Sequence, residues 1–253
     1  MISIVLLGSG NLAHHLCQAF SKSAKVKVVQ VYGRNKRALK KFEKFADTTL
    51  DLTLLKPATI YILAVNDDAI KPLSMALMEK QGLVVHTAGG IHMDVLQHEH
   101  RGVFYPLQTF TADKEVDFSA VPISIEAHKK EDKMLLQDLA SSISSEVYDV
   151  PSSKRMKLHV AAVFVNNFVN HLYAIGEGIC QQEKIPFEIL QPLIRETADK
   201  IRSLSPEKAQ TGPARRNDAD TMKQHLSYLE NSTHKQIYQL LSESIIKNYE
   251  EKL

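Results

Sequence analysis

A glycine-rich turn after the first apolar run constrains the fold of this chain more than any other feature. The run Ile2–Leu7 predicts a buried strand, and the residues after Gly10 predict a helix. The turn between them reads Gly8-Ser9-Gly10-Asn11-Leu12-Ala13, a Gly-x-Gly-x-x-Ala pattern. Gly8 permits a tight turn, Gly10 lets a pyrophosphate approach the backbone, and Ala13 lets the helix pack closely on the strand. Because strand, turn and helix occur in the required order, the pattern favours dinucleotide binding over an ordinary glycine-rich turn.

The end of the second predicted strand, Val26–Tyr32, indicates which dinucleotide is bound. An NAD site usually has an Asp or Glu about 20 residues beyond the glycines, whereas an Arg there suits a 2′-phosphate. No acidic residue stands at this strand end, which continues with Gly33, Arg34 and Asn35. Arg34 can bond a phosphate or stack on adenine, and Asn35 can cap the next helix. These residues favour NADP(H) over NAD(H), and the alternative is a solvated basic helix start that leaves the missing acid unexplained.

Composition excludes several classes of protein. The 253 residues are 44% hydrophobic with a formal net charge of +2, so the chain can bury one large core or two modest ones. The basic residues form no long face with interleaved aromatics, so nucleic-acid binding is not expected. Cys17 and Cys180 have no metal-ligand spacing, and we expect them to be buried, with no metal site. The first strand lacks signal-peptide features and no run approaches about 20 apolar residues, which predicts a cytoplasmic protein without membrane contact.

Strands and helices alternate up to about residue 150. Further strands are predicted at Thr59–Val65, Leu83–His86, Val103–Leu107 and Val121–Glu126. Helices are predicted over Lys36–Ala46 and from Asn66 onwards. This alternation predicts an α/β domain of residues 1–150 with a mainly parallel, doubly wound sheet.

The pattern changes to helix after Pro151. Apolar residues recur at helical spacing over about 30 residues from Lys154 to Glu183, a length of roughly 45 Å. Amphipathic segments follow at Phe187–Leu204, Asp218–Leu229 and Thr233–Tyr249. Residues 151–253 are therefore predicted to form an all-α domain. Because one copy has few residues to cover so apolar a central helix, a homodimer through this domain is predicted.

Three polar or glycine-rich turns follow predicted strands at the edge where open α/β sheets bind ligands. They are Ala64-Val65-Asn66-Asp67, His86-Thr87-Ala88-Gly89-Gly90 and Tyr105-Pro106-Leu107-Gln108-Thr109-Phe110. The first turn can pass beside a nicotinamide ribose, with Asn66 or Asp67 capping the next helix. His86 is either a residue of the site or a satisfied histidine at a strand end.

The long helix carries polar residues in an otherwise apolar sequence. His159, Asn166, Asn170 and Glu177 are 7, 4 and 7 residues apart, which places them on one stripe of an α-helix, with Asn167 beside it. Amides are costly to bury without partners, so the stripe should face a cleft between the domains or, for Asn170 and Glu177, a dimer interface. His159 and Asn166 or Asn167, near the domain junction, are best placed to meet a nicotinamide.

The loop Thr211–Asp218 is the other candidate for substrate binding. It supplies a hydroxyl, the guanidinium groups of Arg215 and Arg216, and a capping Asp within a short stretch. It is either a place to hold an anionic substrate or an exposed basic loop before a helix.

Six segments of the chain resemble, in this order, those of a known family. They are GSGNLAHHL, AVNDDAI, HTAGG, FYPLQTF, HVAAVFVNN and TGPARRND, spread over nearly the whole chain. The chain thus resembles the Rossmann-like NADP oxidoreductases that have a helical C-terminal domain of unknown function. Their architecture is similar to deazaflavin-dependent NADP oxidoreductases, pyrroline-5-carboxylate reductases and β-hydroxyacid dehydrogenases. The resemblance implies a dimer and a site between the domains, and it supplies no substrate.

One departure from the β-hydroxyacid dehydrogenases concerns the mechanism. Those enzymes have a catalytic Lys before the Asn of the interdomain helix, and Val163 stands at that position here. For a reductase, we hypothesise that His159 donates or relays the proton, Asn167 orients the carbonyl or imine, and Arg216 holds a carboxylate. An NADP(H)-dependent reductase of a small carbonyl or imine compound is therefore expected. The alternatives are a non-catalytic NADP(H) sensor and a purely structural dimer, which would require an empty nucleotide turn.

Overall fold

In the computed structural model, which describes residues 1–112 and 114–250, eight strands form a single sheet. The strands are β1 Ile2–Leu7, β2 Val26–Tyr32, β3 Asp47–Thr49, β4 Ile60–Leu63, β5 Leu83–His86, β6 Arg101–Pro106, β7 Ile123–Ala127 and β8 Val147–Asp149. Their order is β3-β2-β1-β4-β5-β6-β7-β8, and all neighbours are parallel except β6 and β7. The order reverses between β1 and β4, which confirms the predicted doubly wound α/β fold.

The apolar strands are long runs without alternation because both faces of the sheet are covered. Ile4 and Leu6 of β1 pack on one face in a cluster that includes Phe20. Val5 and Leu7, which point the other way, pack in a second cluster. The core of this part of the protein is therefore two apolar layers on either side of β1 and its neighbours.

Five helices accompany the sheet. They are α1 Asn11–Ser21, α2 Lys36–Leu39, α3 Asp67–Ala76, α4 Lys130–Ser141 and α5 Ser152–Ala162. The single helix predicted over Lys36–Ala46 is instead α2 followed by a 3₁₀ turn, Lys40–Phe42. Asn35 caps α2 as predicted, because its Oδ1 accepts from the backbone N–H groups of Arg37 (2.9 Å) and Ala38 (3.2 Å).

The remaining helices are α6 Val169–Gln182, α7 Gln191–Lys200, α8 Pro206–Ala209, α9 Ala219–Tyr228 and α10 Ser232–Glu250. A π-helical segment, Val163–Phe168, connects α5 to α6 within one helical run. Its wider turn breaks the count of 3.6 residues per turn, so the single stripe predicted from His159 to Glu177 does not continue through it. Ser205 and Asp218 cap α8 and α9 through their side chains.

Contacts divide the chain into two compact units, Met1–Phe164 and Val165–Leu253. The change in composition along the sequence predicts an earlier domain boundary, after residue 150. The contacts group α5, and with it His159, with the sheet. Each unit is therefore described by itself below.

The second unit has little apolar core of its own. Its buried apolar residues, among those described, are Cys180, Ala209, Ala214 and Tyr249. Large apolar side chains are instead exposed, among them Val165 (74%), Leu240 (68%), Ile189 (66%) and Leu193 (63%). Unpaired apolar surface on this scale is typical of an interface with another molecule.

The helical run Ser152–Gln182 is long and apolar enough to cross a membrane, by length and composition only. Its most apolar window has a mean hydropathy of 1.2, and none of that window is buried. This run differs from the expectation that no stretch of the sequence approaches a membrane span. Asn166, Asn167 and Asn170 lie in its middle, and amide side chains at the centre of a bilayer are costly. One helix of this kind is weak evidence for a membrane span.

Candidate functional site

The turn between β1 and α1 lies against the end of β4. Gly8 has a φ of 134°, and a Cβ at this position would lie 2.0 Å from the carbonyl oxygen of Ala64. At Gly10 a Cβ would meet no atom within 4 Å, so the backbone there faces open space. The packing of the chain itself therefore requires glycine at position 8, whereas position 10 is open to a ligand.

The start of α1 is suited to an anion. Gly10 occupies the capping position and has no side chain, so no capping group bonds the free N–H groups of the first turn. These groups and the helix dipole favour negative charge. The first turn of α1 is therefore open to an anion, and phosphate binding there stays a prediction.

A cavity of about 850 Å³ opens beside this turn. Its lining includes every residue predicted to bind the cofactor, namely Gly8, Ser9, Gly10, Asn11, Leu12, Arg34, Asn35, Ala64, Val65 and Asn66. It also includes residues that the sequence analysis did not assign, namely Tyr32, Gly33, Asp68, Ala69, Pro72 and Leu73. Ligand sites commonly enclose about 300–1,000 Å³. The turns after β1, β2 and β4 therefore share one cavity of ligand size.

The charges around the cavity differ from those of a usual NAD site. Arg34 is exposed at the end of β2 and lines the cavity. Asp68 is the acidic residue of the described lining, and it belongs to the first turn of α3 rather than to the end of β2. At the end of β2, where dinucleotide-binding domains contact the ribose 2′-substituent, the described residues thus offer a guanidinium group and no carboxylate.

Asn11 connects the glycine turn to the segment after β6. Its Nδ2 donates to the carbonyl oxygen of Phe110 at 3.0 Å. One turn later, His15 Nε2 lies 2.9 Å from the carbonyl oxygen of Thr111, and its ring packs against Phe110. The third strand-end turn of the sequence is thereby tied to the first turns of α1.

His159 is half-buried on α5 and pairs with Tyr105 at the end of β6. The Tyr105 hydroxyl lies 3.1 Å from His159 Nδ1, and the two rings meet edge to face. The turn after β5 reaches both residues, because a Cβ on Gly89 would lie 2.6 Å from His159 Nδ1 and 2.8 Å from the Tyr105 oxygen. Thr87 ties this turn to the end of β4 through its N–H, which donates to Leu63 at 3.3 Å. The pair thus lies at the carboxyl end of β6, two strands away from β4, whose carboxyl end borders the cavity.

A buried charged network holds the start of α5 to the sheet. Arg155 is fully buried, and its Nη1 donates to Glu126 of β7 at 2.7 Å. Its Nη2 donates to the carbonyl oxygen of Ile91 and, at 3.1 Å, to Ser152. Ser152 also donates to Glu126 at 2.6 Å and accepts from the Met93 N–H at 2.9 Å. The helix that carries His159 is therefore anchored one turn before that residue.

His86 ends β5 and is completely buried. Its Nδ1 accepts from the Ala88 N–H at 3.1 Å, and no described group makes a hydrogen bond of normal geometry to Nε2. Burial, helped by the charge of Arg155, lowers the pKa of His86 to about 3, an effect that the nearby backbone of His92 partly offsets. His86 therefore stays neutral near pH 7 and cannot supply a proton from a charged ring.

The polar residues predicted on the long helix are exposed in this structure. Asn166 and Asn167 belong to the π-helical segment, and Asn170 and Glu177 belong to α6. Short π-helical segments are rare and occur frequently at functional sites. These four residues are in the second unit, whereas His159 is in the first.

The two arginines of the loop before α9 have different surroundings. The Arg215 guanidinium lies 4.0 Å from the centre of the Tyr249 ring. The Arg216 side chain is 65% exposed, and its Nη2 is 4.0 Å from Asp218 Oδ2. Asp218 caps α9 by accepting from the Thr221 N–H at 3.1 Å. Arg216 is therefore the arginine with an exposed guanidinium, while Arg215 packs on an aromatic ring.

No metal centre can be built from the described part of the chain. Within residues 1–112 and 114–250, no group of three or more His, Cys, Asp or Glu side chains could hold an ion. Cys17 and Cys180 are free and buried, as predicted, and burial raises the pKa of Cys17 to about 12. A protonated buried thiol of this kind is a packing residue.

Sequence patterns did not identify Tyr105 or Arg155. Tyr105 was noted only as the first residue of the turn Tyr105–Phe110, because its pairing with His159 joins residues that are far apart in the chain. Arg155 lies among other charged residues at a helix start, and no spacing signals that it is buried. The pair of glycines after β5 is the one signal that a close approach occurs there.

Comparison with known proteins gives one family match and several similar structures. The family model described as "Domain of unknown function (DUF2520)" matches residues 121–245. A protein from Bacteroides fragilis, described as a "putative NADP oxidoreductase", is 41% identical. That similarity covers 97% of this chain and 98% of the other, with a TM-score of 0.90. The sequence matches none of the curated proteins.

Two more distant structures are similar in fold. A protein from Thermotoga maritima is 20% identical over 98% of this chain and 99% of its own, with a TM-score of 0.74. An imine reductase from Myxococcus stipitatus, in complex with NADP⁺, is 14% identical over 98% of this chain and 93% of its own, with a TM-score of 0.66. At these identities the similarity shows the arrangement of the chain alone.

The two glycines of the turn provide a matched pair of variants. We expect Gly8→Ala to lower the free energy of unfolding by about 3 kcal/mol or more, because the new Cβ meets Ala64 and φ is positive. Gly10→Ala should change it by less than about 1 kcal/mol, because its Cβ meets nothing. Urea unfolding measures both. If Gly8→Ala is as stable as the wild-type protein, the described contact with Ala64 is wrong.

Proposed function

Because the chain belongs to the family of Rossmann-like NADP-binding proteins with a helical C-terminal domain, we propose that it is an NADP(H)-dependent oxidoreductase that reduces a small carbonyl or imine compound. The observation that carries this proposal is the cavity beside the Gly8–Ala13 turn, with Arg34 at its edge. The 41% identical relative, described as a "putative NADP oxidoreductase", supports the same cofactor.

The residues of the cavity fit the cofactor. The open space at Gly10 leaves room for a pyrophosphate on the free N–H groups of α1. Arg34 would hold the 2′-phosphate, and the backbone of Ala64 and Val65 would border the ribose of the nicotinamide. When bound, NADPH supplies a hydride. The protein has to position the substrate and deliver the proton that completes the reduction.

We assign His159 as the residue that donates or relays the proton. Reduction of a carbonyl or imine adds a hydride to carbon and a proton to oxygen or nitrogen, so the site needs a proton donor. Val163 stands where β-hydroxyacid dehydrogenases have their catalytic Lys, so the mechanism that uses that Lys cannot be carried over. His159 lies at the sheet edge that carries the cavity, and its Nδ1 is already paired with Tyr105. Its Nε2 is therefore the nitrogen that we expect to exchange a proton with the substrate.

Two residues of the second unit complete the proposed set. We assign Asn167 to orient the carbonyl or imine and Arg216 to hold a carboxylate of the substrate. The exposed guanidinium of Arg216 and the π-helical position of Asn167 support these roles. Arg215, which packs on Tyr249, is the matched residue without an assigned role.

We also propose a homodimer through the helical domain. The scarcity of buried apolar side chains in the second unit supports it, because a unit of this size needs a larger core than one copy provides. The same interface would cover the exposed apolar helix Ser152–Gln182. The three asparagines in the middle of that helix disfavour its insertion into lipid. The proposal is thus a soluble, cytoplasmic dimer.

Cofactor affinity tests the proposal directly. We expect NADPH to bind at least about tenfold more tightly than NADH, because an Arg–phosphate contact contributes about 1.5–3 kcal/mol. Arg34→Glu should weaken the binding of NADPH about 100-fold and change the binding of NADH little. Arg37→Glu is the control, because Arg37 has the same charge nearby but does not line the cavity. Calorimetric titration that gives equal NADPH and NADH affinities would contradict the 2′-phosphate assignment.

Turnover distinguishes the reductase from a sensor. We expect NADPH oxidation with at least one member of a panel of 2-keto acids and cyclic imines. His159→Ala should reduce that rate about 10²–10⁴-fold, because the group that transfers the proton is lost. The affinity for NADPH should not change, because His159 is not assigned to cofactor binding. His225→Ala, in the second unit, is the control histidine. Tight NADPH binding with no oxidation of any panel member would replace the reductase by a non-catalytic sensor.

Light scattering tests the dimer. We expect twice the mass of one chain at micromolar concentration. Val165→Glu and Leu193→Glu should shift the mass toward one chain, because both side chains are more than half exposed in the second unit. Leu54→Glu is the control, since Leu54 is 65% exposed on the first unit. A wild-type protein with the mass of one chain is the result that contradicts the dimer.

A further inference from the structure

The pair formed by Tyr105 and His159 determines which ring nitrogen is available. The hydroxyl lies 3.1 Å from Nδ1, and the ring centres are 6.1 Å apart at 78°. A hydroxyl can donate or accept, so it can bond Nδ1 whether or not that nitrogen carries a proton. Nδ1 is therefore occupied by Tyr105 in either state of the ring, and Nε2 is left for other partners.

The Tyr105 hydroxyl keeps its own proton. Burial raises the pKa of Tyr105, and the positive charge of Arg155 only partly opposes this. A protonated hydroxyl needs an acceptor, and His159 Nδ1 is the protein atom within hydrogen-bond distance in the described part of the chain. In the neutral ring, the hydroxyl therefore donates to Nδ1, and the ring proton is on Nε2.

The turn after β5 is shaped around this pair. A Cβ on Gly89 would lie 2.6 Å from His159 Nδ1 and 2.7 Å from the Tyr105 ring, which is closer than side chains approach each other. A Cβ on Gly90 would lie 3.5 Å from the His159 ring, an ordinary contact. Neither glycine has a positive φ. A Cβ at position 89 would therefore push the two residues apart, whereas an alanine at position 90 fits.

The two ends of the pair are held by different elements. Tyr105 is on β6, and His159 is one turn beyond Arg155, which Glu126 and Ile91 hold in the interior. Because both backbones are fixed, the distance between the hydroxyl and Nδ1 depends on the space that Gly89 leaves. The hydrogen bond thus depends on three separate segments of the chain, which carry Tyr105, Gly89 and His159.

We propose that Tyr105 is a positioning residue that bonds His159 Nδ1 and directs Nε2 to the substrate, and that Gly89 leaves the space this pair requires. The inference rests on the proposed function, because it deepens the role of His159. When the ring carries a second proton, Nδ1–H donates to the Tyr105 oxygen. The Nε2 proton then passes to the oxygen or nitrogen of the substrate, which leaves the neutral ring with its proton on Nδ1. Protonation of Nε2 by solvent and loss of the Nδ1 proton to solvent restore the neutral ring that accepts from Tyr105.

Nitrogen-15 NMR of the histidine rings in the cofactor-free protein tests this inference. We expect neutral His159 to be a single tautomer with its proton on Nε2 and with Nδ1 accepting a hydrogen bond. Tyr105→Phe should remove that hydrogen bond and let the two tautomers exchange. The signal of His225, whose Nδ1 lies 2.8 Å from the Tyr238 hydroxyl, is the internal control and should not change.

The glycine variants separate positioning from general packing. Gly89→Ala should abolish the hydrogen-bond signal of His159, as Tyr105→Phe does, while Gly90→Ala should leave it intact. If Gly89→Ala does not fold, Tyr105→Phe still decides the role of the tyrosine. A neutral His159 with its proton on Nδ1, or an unchanged signal in Tyr105→Phe, would overturn the inference.

Failure of this inference is distinguishable from failure of the proposed function. The ring signals are measured without cofactor or substrate, so they do not depend on turnover. Absent NADPH binding with an intact pair would contradict the cofactor assignment alone. Normal NADPH binding with the wrong tautomer would contradict the role of Tyr105 alone.

Discussion

The close approach of the glycine turn to the end of β4 is the constraint on which the site depends. Gly8 occupies a position where a Cβ would fall 2.0 Å from Ala64, and β1 and β4 are the strands between which the sheet order reverses. At such a switch point the turns leave the sheet in opposite directions and open a crevice. The cavity opens at this switch point, beside the free start of α1 and with Arg34 from the end of β2 in its lining.

A second constraint fixes the helix that carries His159. Arg155 and Glu126 are paired in the interior, and removing one partner of such a pair typically costs about 3–5 kcal/mol. A buried ion pair is an expensive way to join a helix to a sheet, since apolar packing would serve as well for stability. Its geometric effect is to hold α5 in one register opposite Tyr105.

Much of the fold was predictable from the sequence, and the limits have physical causes. β1, β2 and β5 were predicted at their observed bounds because they are apolar runs between turn signals. β3 and β8, of three residues each, were missed because short strands at sheet edges carry little apolar pattern. The π-helical segment was missed because Val163–Phe168 has no spacing that distinguishes it from an α-helix. The cavity residues of the three strand-end turns, Gly8–Leu12, Arg34, Asn35 and Ala64–Asn66, were predicted from local motifs, whereas Tyr105 and Arg155 act through contacts between distant segments.

Hydrogen–deuterium exchange with and without NADP⁺ tests most directly that the cavity is the cofactor site. Bound NADP⁺ should slow the exchange of backbone amides in Gly8–Leu12, Tyr32–Asn35 and Ala64–Asn66, which line the cavity from three different turns. Arg101–Val103, at the opposite end of β6 from the site, should be unaffected. No protection in the three turns, or protection confined to another part of the chain, would contradict the assignment.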